Sequence, residues 1–152
     1  MTEQFNPNKD FVVHRLVVED IPEIVRLTKE YVKTLPNWGP FDLRTAVENT
    51  YQNIDEFGGY KVTLDGKMVA VLVLSEIRYW WTDVAVLTNM LLYVADEYAG
   101  EGLHQTLLKL AIAEADRSGI EFHLDTLNRR RDSTIVGKTY RYHVQEIEDN
   151  NG

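Results

Sequence analysis

Apolar residues recur along the chain with two different spacings, one typical of helices and one typical of strands. They return every three or four positions over residues 22–33, which predicts an amphipathic helix with a proline in its first turn. A second helix is expected to begin after Asp42, as its cap, and to run to about residue 53. Gly58-Gly59 prevents it from continuing further. A third covers residues 103–117, with Ser118-Gly119 as its C-terminal cap.

Strand-like segments rich in valine, leucine and tyrosine fill most of the remaining chain. They are predicted at residues 11–18, 60–64, 67–77, 84–94, 120–127 and 136–147. Asp65-Gly66 between two of them is typical of a two-residue hairpin turn. The nearly continuous apolar middle of 67–77 indicates a strand that is covered on both faces.

The order of these elements predicts an α/β (α+β) fold with a mixed, largely antiparallel sheet of about six strands and helices on both faces. With 152 residues the chain is expected to form a single domain over 11–147. Residues 1–10 and 148–152 are polar and are expected to be flexible tails.

The charge balance restricts the partners that the protein can have. Sixteen basic and twenty-four acidic residues give a net charge of −8, which argues against nucleic-acid binding and suits an amine or basic-protein substrate. The alternative explanation is that the negative charge merely keeps the protein soluble. There is no cysteine, which excludes disulfides and thiolate metal ligands, and no metal site is expected. No apolar stretch spans a bilayer and no signal peptide is visible, so we expect a cytoplasmic protein without a membrane partner.

The most informative segment is a predicted strand followed by Glu97-Tyr98-Ala99-Gly100-Glu101-Gly102 and then a helix. Glycines let a phosphate approach the backbone closely, and the helix start offers unpaired N–H groups, so the segment suits an anion. The Gly-x-Gly turn alone favours an ordinary strand-to-helix connection over an anion site. The absence of Lys-Ser or Lys-Thr after the glycines argues against a nucleotide P-loop, and Gln105 replaces the third glycine of the dinucleotide motif.

This segment resembles the acetyl-CoA signature of the GCN5-related N-acetyltransferases. The matching residues are Tyr93-Val94, Glu97-Tyr98, Gly100, Gly102 and Leu107-Leu108. Residues 13–24 resemble the family's first strand and helix, and 124–128 resemble a later strand. The resemblance spans about 11–147 and implies the family's fold and an acetyl-CoA-dependent transfer to a small-molecule or protein amine.

The resemblance also implies where acetyl-CoA binds. Backbone N–H groups around Leu92 and Val94 would hold the thioester carbonyl and the pantetheine arm, although both residues also suit a plain buried strand. The other cofactor-binding positions are Glu97, Ala99, Gly100, Glu101, Gly102, Leu103, His104, Asn128 and Arg129. His104 also reads as a surface histidine, Asn128 as a turn cap and Arg129-Arg130-Arg131 as a solvated basic turn.

The catalytic groups depart from the family pattern. Ser133 stands where a tyrosine often protonates the thiolate, and Thr88 stands near the usual strand glutamate. We therefore expect deprotonation of the amine through water, assisted by Glu76 or Asp83. Tyr140 and Tyr142 are the candidates for the missing acid, and both also suit simple packing of a strand.

Alternatives remain open at this stage, and one of them is an acyl-transfer relative that modifies nucleotides or other unusual acceptors. The departures also fit a catalytically weak or inactive protein of the same fold that acts as a CoA-binding, protein-interaction or inhibitory module. The aromatic residues Trp38, Tyr79, Trp80 and Trp81 suit an acceptor pocket, a homodimer interface or core packing.

Overall fold

The computed structural model describes residues 3–4, 10–35, 40–127 and 137–142, with side chains over 10–35 and 40–125. The helices in this part of the chain are α1 (Ile21–Lys33), α2 (Leu43–Glu56) and α3 (Leu103–Ser118). The strands are β1 (Glu3–Gln4), β2 (Phe11–Arg15), β3 (Gly59–Leu64), β4 (Lys67–Ile77), β5 (Val86–Val94), β6 (Phe122–Leu127) and β7 (Gly137–Tyr142).

The strands of the described residues form one sheet in chain order, from β1 at one edge to β7 at the other. All neighbouring strands are antiparallel except β5 and β6. That pair is parallel because α3 carries the chain back across the sheet between them. The predicted mixed, largely antiparallel sheet is confirmed, and the two-residue β1 adds to the six predicted strands.

Helices cover both faces of the sheet, as predicted. On one face α3 buries Leu103, Leu107, Ala111 and Ala115 against a cluster that includes Leu72 and Leu74 of β4. On the other face α1 and α2 bury Ile24, Leu27 and Ile54 against Val71 and Val73. Alternate residues of β4 thus enter opposite cores, which explains its continuous apolar run.

The helix α2 begins as predicted but ends later than predicted. The Asp42 side chain accepts a hydrogen bond from the Thr45 N–H at 2.9 Å, which confirms Asp42 as the cap. The helix continues to Glu56, three residues beyond the prediction, because the backbone bonds that close it run from Phe57 and Gly58 to the Asn53 carbonyl.

The N-terminal region differs from the prediction in two ways. β2 ends at Arg15 rather than at residue 18, because the Asp20 carboxylate accepts the Val17 N–H at 2.8 Å and turns the chain into a 3₁₀ turn. Lys61 holds the same carboxylate at 2.5 Å. Within the predicted tail, Glu3–Gln4 pair with β2, so this part belongs to the sheet.

The later strands are shorter than predicted in the described residues. β5 begins at Val86 rather than at residue 84, and β6 begins at Phe122 rather than at residue 120. The final predicted strand, 136–147, is described only as Gly137–Tyr142. The hairpin turn is confirmed, since Asp65 and Gly66 have φ of 52° and 80°. Among the described helices, none has the length and apolarity to cross a bilayer.

Candidate active-site cleft

A β-bulge in the middle of β5 sets the direction of its backbone groups. Val73 of β4 pairs with Leu91, whereas Leu74 pairs with Asn89, so Met90 is an extra residue. Before the bulge, the Leu87 N–H points towards β6 and donates to the Glu121 carbonyl at 2.9 Å. The extra residue shifts this alternation by one position. In the second half of the strand, the even-numbered residues therefore direct their N–H groups towards β6.

The N–H groups of Leu92 and Val94 face away from β4. Just after the strand, the Ala95 N–H donates to the Val69 carbonyl at 2.9 Å, on the β4 side. Because successive N–H groups of an extended chain point to opposite edges, those of Leu92 and Val94 point towards β6. This is the direction that the sequence resemblance requires for these two residues.

The two parallel strands separate soon after they meet. β5 and β6 pair only at Leu87 with Phe122 and at Thr88 with His123. At the next position, hydrogen bonds from the Asn89 side chain take the place of backbone pairing between the two strands. Its amide group donates to the Asp125 carbonyl and its oxygen accepts from the Asp125 N–H, both at 2.8 Å. Beyond this point an open space separates the strands.

This space is a cleft of about 680 Å³, here called the β5–β6 cleft. Its lining residues come from α1, β5, the following turn, the start of α3 and β6: Tyr31, Asn89, Leu92, Val94, Asp96, Tyr98, Ala99, Gly100, Gly102, Leu103, His104, Gln105 and Asp125. A volume of this size accommodates a substantial part of a small-molecule ligand.

The turn between β5 and α3 forms the outer end of the cleft. Gly100 and Gly102 have φ of 89° and 82°, a left-handed conformation that disfavours other residues. Gly102 caps α3 without any side-chain hydrogen bond, and the first intrahelical bond runs from the Thr106 N–H to the Gly102 carbonyl at 3.1 Å. The preceding N–H groups of the first turn therefore lack intrahelical acceptors, an arrangement that favours an anion at a helix start, and this turn is here called the anion cradle.

A carboxylate lies at the inner end of the cleft. The Asp125 Oδ2 atom is 3.1 Å from the Thr88 hydroxyl, which also donates to the His123 carbonyl at 2.6 Å. Thr88 is buried and Asp125 is half-buried. Thr88 thus does not provide a base itself, but it contacts the carboxylate that lines the cleft.

A chain of hydrogen bonds runs beside this carboxylate. The Tyr79 hydroxyl is 2.7 Å from His123 Nδ1, and His123 Nε2 is 2.9 Å from Glu121 Oε1. Burial and the negative charges of Asp125 and Glu121 raise the pKa of Tyr79, which keeps its hydroxyl neutral. In the imidazole tautomer that carries its hydrogen on Nε2, the Tyr79 hydroxyl donates to Nδ1 and Nε2–H donates to Glu121.

Three of the aromatic residues noted in the sequence lie at the Tyr79 end of this series of hydrogen bonds. The Trp81 ring stacks on Tyr79 at 4.8 Å, and Trp80 packs edge-on against Trp81 at 5.6 Å. Both tryptophans are exposed, so they are not core residues. Trp38 lies outside the described residues. The acceptor-pocket and homodimer roles of this cluster stay predictions.

Most of the predicted cofactor-binding residues come together in the structure. Those lining the β5–β6 cleft are Leu92, Val94, Ala99, Gly100, Gly102, Leu103 and His104. Glu97 and Glu101 belong to the same turn but do not line the cleft. Asn128 and Arg129 lie outside the described residues, as do Arg130, Arg131 and Ser133.

Two of the predicted catalytic residues lie away from the cleft. Glu76 pairs with Arg78 at 3.0 Å near the end of β4. Asp83 is exposed in the following loop, where its carbonyl accepts a hydrogen bond from Arg78 at 3.0 Å. Tyr140 belongs to β7, where its backbone pairs with Leu124, and its side chain lies outside the described part of the chain. The catalytic roles of all three residues stay predictions.

Sequence reasoning missed several residues of the cleft, above all Asn89 and Asp125. The signal that could have found Asp125 was its alternation with His123 around the apolar residues Phe122 and Leu124, which places His123 and Asp125 on one face of the strand. That signal does not reveal the partner strand, because Asn89 and Asp125 are 36 positions apart.

Comparison with known proteins supports the fold. No protein-family model and no curated protein sequence matches the chain. Among solved structures, a predicted acetyltransferase from Clostridium acetobutylicum solved with acetyl-CoA has a TM-score of 0.64 at 11% identity, covering 75% of this chain and 79% of that one.

Two further structures are enzymes with named acceptors. A ribosomal-protein-alanine N-acetyltransferase from Brucella melitensis biovar Abortus has a TM-score of 0.56 at 16% identity, covering 75% of this chain and 77% of that one. An aminoglycoside acetyltransferase from an uncultured soil metagenomic sample, solved with sisomicin, has a TM-score of 0.55 at 17% identity, with coverages of 75% and 74%. At these identities the likeness concerns the fold. The chain has the fold of the GCN5-related N-acetyltransferases.

Proposed function

We propose that this protein is an N-acetyltransferase that binds acetyl-CoA in the β5–β6 cleft and transfers the acetyl group to a primary amine. One observation carries the proposal: a single cleft joins the N–H groups of Leu92 and Val94 to the anion cradle at the start of α3. The first feature suits an amide-bearing, extended ligand, and the second suits its phosphates.

The residues of the cleft fit acetyl-CoA in both shape and chemistry. The pantetheine arm contains amides that can pair with the free edge of β5 in the manner of an added strand. At the cradle, no neighbouring atom of the described residues lies within 4 Å of the place where a side chain of Gly100 or Gly102 would begin, so a pyrophosphate has room there. The described lining contains no lysine or arginine, which leaves backbone N–H groups and His104 as its phosphate partners.

Acetyl-CoA supplies the activated acetyl group as a thioester. The N–H groups of Leu92 and Val94 hold the arm and polarise the thioester carbonyl, as an oxyanion site does. Asp96 and Asp125 line the cleft, and the net charge of −8 adds to their field, so an ammonium group is attracted to it. A basic small molecule or a protein amine is therefore the proposed acceptor.

A second function is a CoA-binding module without catalysis. It is favoured by the positions of Glu76 and Asp83, which do not line the cleft, and by Thr88 near the usual place of a glutamate. Turnover separates the two functions, since both include binding of acetyl-CoA.

Release of free CoA thiol is the experiment that tests the proposal. The protein contains no cysteine, so a thiol reagent detects the product without background from the protein. The probes are sisomicin and a peptide with an N-terminal alanine. Amine-dependent thiol release is the expected result. Binding of acetyl-CoA with no release for either probe would support the module instead.

A further inference from the structure

We propose that Asp125 accepts the proton of the acceptor amine and that Thr88 positions the Asp125 carboxylate. The inference rests on the proposed function and names the group that its chemistry requires. An amine is protonated near neutral pH and cannot attack a carbonyl until it loses a proton.

The position of Asp125 in the cleft distinguishes it from the other acidic residues. Two carboxylates, those of Asp96 and Asp125, line the described part of the cleft. Asp96 follows β5 directly and lies in the turn that leads to the anion cradle, at the phosphate end. Asp125 lies at the inner end, where β5 and β6 separate and where the edge of β5 begins to face the cleft.

Two consecutive residues of β5 fix both the backbone and the side chain of Asp125. Asn89 makes two hydrogen bonds of 2.8 Å to its N–H and carbonyl groups. Thr88 contacts its Oδ2 atom at 3.1 Å. The carboxylate is therefore held in a defined position relative to the strand whose N–H groups face the proposed thioester. Proton transfer requires a carboxylate held in this way, within hydrogen-bond distance of the proton that it accepts.

The Thr88 hydroxyl is arranged to hold Asp125 after it has taken up a proton. A hydroxyl has one hydrogen and two acceptor lone pairs. Thr88 donates that hydrogen to the carboxylate while Asp125 is ionised, and to the closer His123 carbonyl, at 2.6 Å, once Asp125 is protonated. The Thr88 oxygen can then accept a hydrogen bond from the protonated carboxyl of Asp125 at the observed distance of 3.1 Å.

The proposed step balances in atoms and charge. The ammonium group of the acceptor gives one proton to the Asp125 carboxylate, and the neutral amine nitrogen attacks the acetyl carbonyl. A bond from nitrogen to carbon forms, and the bond from carbon to sulfur breaks. The second proton lost by the nitrogen goes to the departing thiolate, and Asp125 returns its proton to solvent.

The kinetic test uses three substitutions and one matched control. Asp125→Asn keeps the shape of the side chain and the backbone bonds to Asn89, and is expected to lower kcat at least about 100-fold. Thr88→Val removes the hydroxyl and is expected to lower kcat about tenfold, while Thr88→Ser restores it. Asp116→Asn alters an exposed carboxylate of α3 and should leave kcat unchanged.

The pH profile reports proton transfer specifically. Without an internal acceptor, only amine that is already neutral can react, so the rate of Asp125→Asn should rise about tenfold per pH unit below the pKa of the amine. The rate of the wild type should depend less steeply on pH. Acetyl-CoA affinity, measured by calorimetry, should be the same within about twofold for all variants, because the backbone groups that bind it are unchanged.

A chemical labelling experiment tests the position of Asp125 without turnover. Carbodiimide-driven amidation, followed by mass spectrometry, should modify Asp125 in the free protein and fail to do so with saturating acetyl-CoA. Asp116 should react equally in both states. Lack of protection at Asp125, or undiminished kcat in Asp125→Asn, would overturn the inference while leaving the proposed function intact. A wild type that binds acetyl-CoA but acetylates neither sisomicin nor the alanine peptide would also overturn it. Failure of the wild type to bind acetyl-CoA would reject the proposed function itself.

Discussion

The Glu114 carboxylate of α3 is the anchor of that helix on the sheet, and its removal should destabilise the fold measurably. Its Oε1 atom accepts hydrogen bonds from the Tyr60 hydroxyl at 2.7 Å and from Arg15 at 2.6 Å, and it also pairs with Arg117. Tyr60 is buried, with 3% of its surface exposed, whereas both arginine side chains are more than half exposed.

The size of the effect follows from these exposures. A hydrogen bond from a buried hydroxyl to a charged group contributes about 1.5–3 kcal/mol, and each exposed arginine pair adds about 0.2–1 kcal/mol. We therefore expect Glu114→Ala to lower the free energy of unfolding by about 3 kcal/mol, or the Tm by about 6–12 °C for a chain of this size. Glu114→Gln keeps an acceptor for Tyr60 and should cost only about 1 kcal/mol.

Urea denaturation followed by circular dichroism measures this difference, and pH gives a second check. Burial disfavours the charged carboxylate, but hydrogen bonds from Tyr60, Arg117 and Arg15 outweigh it and lower the pKa of Glu114 below its ordinary value of 4.5. Its contribution should be complete above a pH of about 4.5 and should disappear as pH falls through the folded-state pKa. A Glu114→Ala variant within about 0.5 kcal/mol of the wild type at pH 7 would refute the reasoning.

Two further substitutions test the packing of the sheet and the inner end of the cleft. Gly59→Ala should prevent folding, because its Cβ would lie 2.0 Å from the Leu72 carbonyl oxygen. At the neighbouring Gly58→Ala, no atom of the described residues would lie closer than 3.9 Å to the new Cβ, so this variant should remain folded. The yield of soluble protein and circular dichroism measure the difference, and a stable Gly59→Ala variant would contradict the packing. Asn89→Ala removes both hydrogen bonds to the Asp125 backbone. It should lower kcat about tenfold or more while acetyl-CoA affinity changes little. An unchanged kcat would mean that these two bonds do not organise the cleft.

Much of the fold was predictable because its signals are local. Helical periodicity located α1 and α3, the Asp42 cap and the Gly58-Gly59 break located α2, and the Asp65-Gly66 turn joined β3 to β4. The glycines at 100 and 102 marked the cradle because their conformation is determined within a few residues. The order of elements then sufficed to predict the mixed sheet and its resemblance to the acetyltransferase fold.

The inner part of the cleft was not predictable, because non-local pairing creates it. Met90 forms a bulge only relative to β4, and the apolar run around it gives no sign of the reversed backbone direction. Asp125 owes its place to Thr88 and Asn89, which contact it from a different strand. The sequence therefore directed attention to Glu76 and Asp83, whose side chains do not line this space.

Acetyl-CoA binding in the β5–β6 cleft is tested most directly by calorimetric titration of the wild type, Gly102→Glu and Gly119→Glu. The two glycines cap opposite ends of α3 with φ of 82° and 71°, and no neighbouring atom of the described residues lies within 4 Å of the position that a Cβ would take at either of them, so the substitutions impose similar strain and the same charge. We expect saturable binding by the wild type and by Gly119→Glu, and none by Gly102→Glu. Equal binding by both variants, or no binding by a folded wild type, would contradict the claim that this cleft holds acetyl-CoA.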